Sequence, residues 1–174
     1  VDRTSKDIIV YQDQDLFGPR QVASYHDYSS GSLERDGVWF KAIFKIAEIV
    51  ALTEDSADIL ADAHLEVLAR HFDTLSFQWL RWNEGWQKVG TISVDDGVSA
   101  EIVSMIDEAP VEGVSIGISE EGGVKRYWGL LGWTDAPLAL VIESDRDLHE
   151  VISEVKFLHR ANRAMAHRLI KAQS

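Results

Sequence analysis

Tryptophan and arginine are the residue types of this 174-residue chain whose positions suggest binding chemistry. Trp79 with Arg81, and Arg126 with Trp128, are spaced two residues apart in segments that have strand character. Aromatic faces attract planar or cationic molecules, and a guanidinium group binds anions. If both pairs lie on the helix-free face of a sheet, they predict a pocket for an anionic or aromatic molecule. The alternative is that these rings pack on one another across neighbouring strands.

The other polar residues do not form a catalytic or metal-binding pattern. His64 and His71 are seven residues apart, and His159 and His167 are eight apart, whereas metal ligands on a helix are usually spaced more closely. We therefore expect histidines on solvent-facing helix surfaces, no metal and no cofactor. The glycines lack the strand, loop and helix order of a phosphate-binding fingerprint. Cysteine is absent, which excludes thiolate chemistry. We expect that the protein is not an enzyme.

The last thirty residues carry an apolar stripe whose spacing alternates between three and four. Its members are Leu148, Val151, Val155, Leu158, Asn162, Met165 and Leu169. Such a seam is typical of a helix that packs on another helix, and a buried Asn fixes register and pair number in two-stranded coiled coils. We expect this seam to form a homodimer contact. The alternative is that it packs on the domain's own sheet, with Asn162 at the edge of the contact.

A helix is predicted over residues 38–52, and it has two apolar stripes. One consists of Trp39, Ile43, Ile46 and Val50, and the other of Phe40, Phe44, Ala47 and Ala51. Two apolar faces require two packing partners. We expect one face to cover the sheet and the other to meet a second subunit or the terminal helix. The predicted dimer interface is therefore Trp39, Ile43, Ile46, Val50, Val151, Val155, Leu158, Asn162, Met165 and Leu169.

The segments between these helices predict a second helix followed mainly by strands. The helix is capped by Asp55 or Ser56 and runs to about residue 71, and a short helix surrounds Ile102. The strands are residues 75–82, 86–92, 114–118, 125–133 and 138–143. Strands joined by short turns are antiparallel. The chain is therefore predicted to have an α+β fold, with a central antiparallel sheet of about five strands and the N-terminal and C-terminal helices on one face. Residues 1–37 are predicted to be a linker or partly docked segment, and residues 38–174 a domain.

Charge and hydropathy limit the partners that we expect. The formal net charge is −12, although no acidic residue follows Glu154. Because the acidic body repels phosphate, direct nucleic acid binding is not expected. The apolar runs are too short to span a bilayer, so we expect no membrane association and a cytoplasmic location. The chain begins at Val1 rather than Met, and we therefore expect it to be a piece of a longer protein.

Residues 38–169 resemble a GAF domain, a small intracellular sensor fold related in architecture to PAS domains. The resemblance is carried by the two helices, by the strand TLSFQWLRW and by the ending KRYWGLLGWTDAPLALVIESDRDLHEVISEVKFLHRANRAMAHRL. It implies a regulatory domain of a bacterial signalling protein that dimerises through its terminal helices. Such a domain passes a signal to an attached output domain, for example one that regulates transcription.

The family resemblance also implies that a ligand could bind between the sheet and its covering loops. Some GAF domains bind cyclic nucleotides, bilins, haem, iron or metabolites there. This chain has neither the cysteine that attaches a bilin nor an NKFDE-like set, and the segment between Ile92 and Val114 is short. We therefore expect a small or empty pocket and a regulatory, dimerising role. The alternatives are a small-molecule sensor with an aromatic pocket and a protein-binding adaptor.

Overall fold

The helices and strands of the chain follow one another in the order of an α+β fold. The computed structural model describes residues 9–11, 30–92, 100, 102–104, 106 and 112–172. The strands are β1 (Ile9–Tyr11), β2 (Ser76–Trp82), β3 (Trp86–Val89), β4 (Gly113–Glu121), β5 (Val124–Trp133) and β6 (Ala136–Ser144). The helices are α1 (Ser30–Val50), α2 (Ala57–His71), α3 (Ile152–Ala161) and α4 (Arg163–Lys171), and a 3-10 turn at Leu148–Val151 precedes α3.

The described strands form one six-stranded sheet in the order β1-β4-β5-β6-β2-β3, and all neighbours are antiparallel. The predicted α+β class, its antiparallel sheet and its five strands are confirmed, and β1 adds a short edge strand. β6 lies between the two hairpins, where Leu140 pairs with Trp79 on β2 and with Leu131 on β5. The last strand of the chain therefore joins the two hairpins into one sheet.

The hairpin between β4 and β5 has a two-residue glycine turn. Gly122 and Gly123 have φ angles of 59° and 81°. Two successive positive φ angles match the right-handed twist of the flanking strands, and glycine adopts them without a steric penalty. The turn therefore fixes the register that pairs Gly117 with Trp128 further along the hairpin.

The two faces of the sheet are covered differently. Phe77, Trp79 and Leu140 belong to the larger core, which the four helices cover. Leu80 and Trp128 belong to a smaller cluster on the opposite face, together with Ile102. The alternation of side chains along each strand produces this division. The predicted grouping of the N-terminal and C-terminal helices on one face is therefore confirmed.

The helix predicted at the C-terminus is divided at Asn162. The Asn162 side-chain Nδ2 donates to the Leu158 carbonyl at 2.8 Å, and the Asn162 backbone N–H donates to the same oxygen at 3.1 Å. A side chain that competes for the hydrogen-bond ladder in this way bends or interrupts a helix. The apolar spacing continues across the break, which is why the sequence pattern alone predicts one helix.

The helix starts differ from the predictions in one case and agree in another. α1 begins at Ser30, eight residues before the predicted start. The predicted cap of α2 is confirmed, since Ser56 Oγ accepts from the Ile59 backbone N–H. The turn before α3 is capped by Asp147, whose carboxylate accepts the His149 backbone N–H, and this bond lowers the pKa of Asp147.

Candidate functional site

A buried hydrogen-bonded chain connects α2, β2 and the C-terminal helices. Trp79 Nε1–H donates to His64 Nδ1 at 2.9 Å, and His64 Nε2 lies 2.6 Å from Asn162 Oδ1. An indole can only donate, so His64 Nδ1 is the acceptor and His64 Nε2–H donates to Asn162. All three side chains are fully buried. We call them the inner network.

The inner network requires a neutral imidazole. Burial lowers the pKa of His64 to about 4, and the hydrogen bond that His64 donates to Asn162 offsets only part of that effect. Protonation would place a hydrogen on Nδ1, which would then oppose the N–H that Trp79 donates to the same nitrogen. The expectation that His64 lies on a solvent-facing surface is therefore wrong. Its spacing of four from both Leu60 and Leu68, which are buried on α2, is the signal that places it inside.

His159 is the second histidine that the sequence wrongly assigns to the surface. Its ring stacks on Trp133 with a centroid distance of 5.4 Å and an interplanar angle of 2°. Its Nε2 lies 2.9 Å from the Gly132 carbonyl and 2.8 Å from a Glu112 carboxylate oxygen. Both buried histidines thus hold C-terminal helices against the rest of the domain.

The C-terminal apolar stripe packs inside the chain rather than facing a second copy. Five members of the predicted dimer interface are fully buried in the larger core: Val155, Leu158, Asn162, Met165 and Leu169. Val151 is partly buried against the same core. Side chains that a single folded chain already covers are not accessible to a partner. These residues are therefore not available as a dimer seam in this fold. The stripe packs within the domain, as the alternative has it, but Asn162 is fully buried rather than at the edge of that contact.

The predicted interface residues of α1 also turn mainly inward. Ile46 is buried, while Trp39 and Val50 are partly buried against the core. The Trp39 ring stacks on Phe157 of α3 with a centroid distance of 4.6 Å. Only Ile43 of this group remains substantially exposed, at 43%. The inward face of α1 therefore belongs to the fold of the chain itself.

The opposite face of α1 leaves large apolar groups in solvent. Phe40 is 62% exposed and Phe44 is 68% exposed, and Ala47 and Ala51 are exposed beside them. These residues are spaced by four, three and four. Ala51 lies one residue past the end of α1, but its backbone N–H still donates to the Ala47 carbonyl at 3.1 Å, so all four lie along one side of the helix. We call Phe40, Phe44, Ala47 and Ala51 the outer stripe. A contiguous apolar surface of this kind marks an interaction site more often than isolated exposed residues do.

A shallow basic groove of about 590 Å³ lies between Val50 of α1 and the exposed side of α4. Several of its basic side chains contact acceptors within the chain. Arg163 contacts Glu112 at 2.8 Å and Asp135 at 3.3 Å, and His167 contacts Asp135 at 2.9 Å. The positive charge of this groove is therefore partly neutralised by acidic residues of the same domain.

The structure divides the four predicted ligand-binding residues between the two faces of the sheet. Trp79 lies in the helix-covered core, and Arg81 donates to the Ile170 carbonyl at 2.8 Å near the end of α4. Arg126 and Trp128 lie on the opposite face, where Arg126 pairs with Glu143 at 3.2 Å. Side chains on opposite faces cannot line one pocket. The fold therefore does not provide a single site built from all four.

Trp128, on the face of the sheet opposite the helices, packs closely on the neighbouring strand. Its ring lies directly over Gly117, where an added Cβ would be only 2.2 Å from Trp128 Cζ2. Within the described residues, the buried indole nitrogens of Trp128 and Trp86 have no hydrogen-bond partner. A buried donor without an acceptor is costly, and a bound molecule can supply the acceptor.

The described residues contain neither a metal-binding cluster nor a helix that could span a membrane. No three histidine, aspartate or glutamate side chains within that part of the chain are arranged to hold a metal ion. No helix in the described ranges has the length and apolarity needed to cross a bilayer. No protein-family model matches the chain, and no curated protein matches it either.

Proposed function

We propose that this chain is a GAF-like regulatory domain of a signalling protein, which pairs with a second copy through the outer stripe of α1. The exposed side chains of Phe40 and Phe44 carry the proposal. Burying a phenylalanine side chain is worth about 1.5–3 kcal/mol, so two copies gain from covering these rings. The antiparallel sheet and the helices on one face are consistent with the resemblance to GAF domains.

The contacts of α1 offer a route by which such pairing could be coupled to the C-terminal helices. On its inward side, Trp39 stacks on Phe157 of α3. Near its end, Arg168 of α4 donates to the carbonyl oxygens of Leu52 and Glu54. A shift of α1 in the dimer would therefore displace rings and hydrogen bonds of both C-terminal helices. We propose that this packing passes a signal to an attached output domain.

Sedimentation velocity over a micromolar concentration range tests the pairing. We expect the wild-type chain to sediment as a dimer and Phe44→Glu to sediment as a monomer, because a charge in the outer stripe opposes burial. Ile59→Glu is the matched control, since Ile59 on α2 is 56% exposed and lies outside the stripe. This control should remain dimeric. A wild-type chain that stays monomeric, or a dimer that Phe44→Glu leaves intact, would reject the proposed contact.

A small-molecule sensor is the second candidate function. It is favoured by the indole N–H groups of Trp86 and Trp128, which have no hydrogen-bond partner among the residues that the structure describes. A molecule with an acceptor oxygen on this face would satisfy these donors. Thermal shift measurements with nucleotides, amino acids and aromatic acids test this candidate, because ligand at about 100 times its dissociation constant adds about 2.7 kcal/mol. A binder should also lose its effect in Trp128→Phe. If no compound of the panel raises the melting temperature, the sensor role loses its support.

A further inference from the structure

We infer that two α1 helices pair in an antiparallel orientation, so that each phenylalanine of the outer stripe packs against an alanine of the second copy. This inference rests on the proposed dimer and adds its geometry. The stripe places large residues at one end, Phe40 and Phe44, and small residues at the other, Ala47 and Ala51. A stripe whose side chains are large at one end and small at the other is complementary in shape to a second copy that runs in the opposite direction.

The register follows from the spacing of the stripe. When Phe44 lies opposite Ala47 of the second copy, Phe40 lies opposite its Ala51. The two-fold axis repeats both contacts, so four layers each combine one large and one small side chain. Alternating large and small groups fills the space between two helices at close approach. A parallel pair in register would instead set Phe40 and Phe44 against themselves and leave Ala47 and Ala51 facing each other across a gap.

The charged residues beside the stripe favour the same orientation. Lys41 and Glu48 are exposed and seven residues apart, so they follow one edge of the stripe. In the antiparallel register, Lys41 of each copy faces Glu48 of the other, which gives two attractive pairs. The Glu48 carboxylate already lies 3.4 Å from Lys45 Nζ of its own helix, but this exposed contact is weak and leaves an oxygen free for a second cation.

The opposite edge of the stripe is apolar and supports the same register. Ile43 is 43% exposed there, and Val50 is partly buried one heptad later. The antiparallel arrangement sets Ile43 of each copy beside Val50 of the other. A parallel pair would place Ile43 beside Glu48 of the second copy, so that an apolar group and a carboxylate would share one contact. Size, charge and polarity therefore all favour the reversed orientation.

Charge reversal tests this geometry without disturbing the core, because the residues involved are exposed. We expect Lys41→Glu and Glu48→Lys each to weaken self-association roughly 3- to 10-fold, since each substitution creates two like-charge contacts. An equimolar mixture of the two variants should recover the wild-type affinity as a heterodimer, and the double variant should recover it alone. Lys125→Glu on β5 is the control for Lys41→Glu, because it makes the same change in net charge at an exposed position outside α1.

Single cysteines measure the orientation directly, since the chain has none of its own. In the antiparallel register two Ala51 positions are about 16 Å apart along the axis, at 1.5 Å per residue, which is too far for a disulfide. Ala51→Cys should therefore dimerise without cross-linking to itself, and its mixture with Phe40→Cys should form a mixed disulfide. A self-cross-link of Ala51→Cys in an intact dimer would overturn the orientation alone. A monomeric chain would overturn both the orientation and the proposed function.

Discussion

The stripe of the C-terminal helices and the outer stripe of α1 have the same spacing of three and four residues, but the structure gives them opposite surroundings. Leu158, Asn162 and Met165 are fully buried in the core of their own chain. Phe40 and Phe44 lie largely in solvent on the far side of α1. Apolar spacing therefore identifies a helix face that needs a cover, but it does not identify which surface provides that cover.

A polar residue that only one of the two stripes contains explains part of this difference. Asn162 lies inside its stripe, and His64 of α2 offers it a hydrogen bond of 2.6 Å within the chain. The outer stripe contains no polar residue, and its charged neighbours Lys41 and Glu48 lie at the edge. A buried amide needs a specific partner, whereas an apolar ridge flanked by charges can separate from and rejoin a second copy.

The largest expected effect comes from truncating a side chain in the stripe of the C-terminal helices. We expect Leu158→Ala to lower the free energy of unfolding by about 2–5 kcal/mol, because it removes a fully buried side chain and leaves a cavity. Urea denaturation at low protein concentration measures this change. A loss below about 1 kcal/mol would mean that the stripe is not packed as tightly as the structure indicates.

Acid is expected to weaken the inner network next most strongly. The pKa of His64 is about 4 in the folded chain and close to 6.5 when unfolded, so the unfolded chain takes up its proton first as the pH falls. The stability contributed by neutral His64 is fully present above pH 6.5 and is lost between pH 6.5 and 4, by up to about 3 kcal/mol. Urea titrations at pH 7, 5.5 and 4.5 measure this loss. Comparison with His64→Gln separates the contribution of His64 from that of the other titrating groups. If the free energy of unfolding falls equally with pH in both proteins, the prediction is contradicted.

Removing the amide of Asn162 is expected to cost somewhat less. Asn162→Leu keeps a similar volume but leaves His64 Nε2–H without an acceptor, and the expected loss is about 1–3 kcal/mol. Asn83→Leu serves as the control, because Asn83 lies in an exposed turn. Equal stabilities of the two variants would show that the buried hydrogen bond does not contribute to folding.

Truncating the outer stripe is expected to have the smallest effect on the fold. Phe44→Ala should change the free energy of unfolding of the dilute chain by less than about 0.5 kcal/mol, because its ring has few neighbours to lose. The same urea denaturation provides the comparison with Leu158→Ala. A loss similar to that of Leu158→Ala would erase the distinction between the two stripes.

The sequence predicts the helices, strands and turns of this fold better than it predicts which of them pack against one another. The hairpins, the Ser56 cap and the antiparallel order follow from local rules that operate over a few residues, and each is found. The spacing of His64 from Leu60 and Leu68 indicates its burial, but its hydrogen bonds to Trp79 and Asn162 join residues that are distant in sequence, and no local pattern contains them. The division of Trp79 and Trp128 between faces was missed for a related reason, since alternation along one strand does not reveal which face the helices cover.

The two faces of α1 could be recognised from the sequence, but their roles could not be assigned with the same accuracy. The stripe predicted to meet a second subunit is centred on Ile46, but Ile46 is buried together with Ala42 and Ile49 on the inward side of α1. Ile43 consequently lies toward the exposed side. A rotation of this size depends on contacts with α2 and α4, which no periodicity in α1 contains.

The dependence of the melting temperature on protein concentration tests the central distinction most directly, because a dimer that dissociates on unfolding melts higher when it is more concentrated. We expect this rise in the wild-type chain and in Leu158→Ala, whose melting temperature should be lower at every concentration. The melting temperature of Phe44→Glu should not change with protein concentration. A wild-type melting temperature that does not change with concentration would contradict the account.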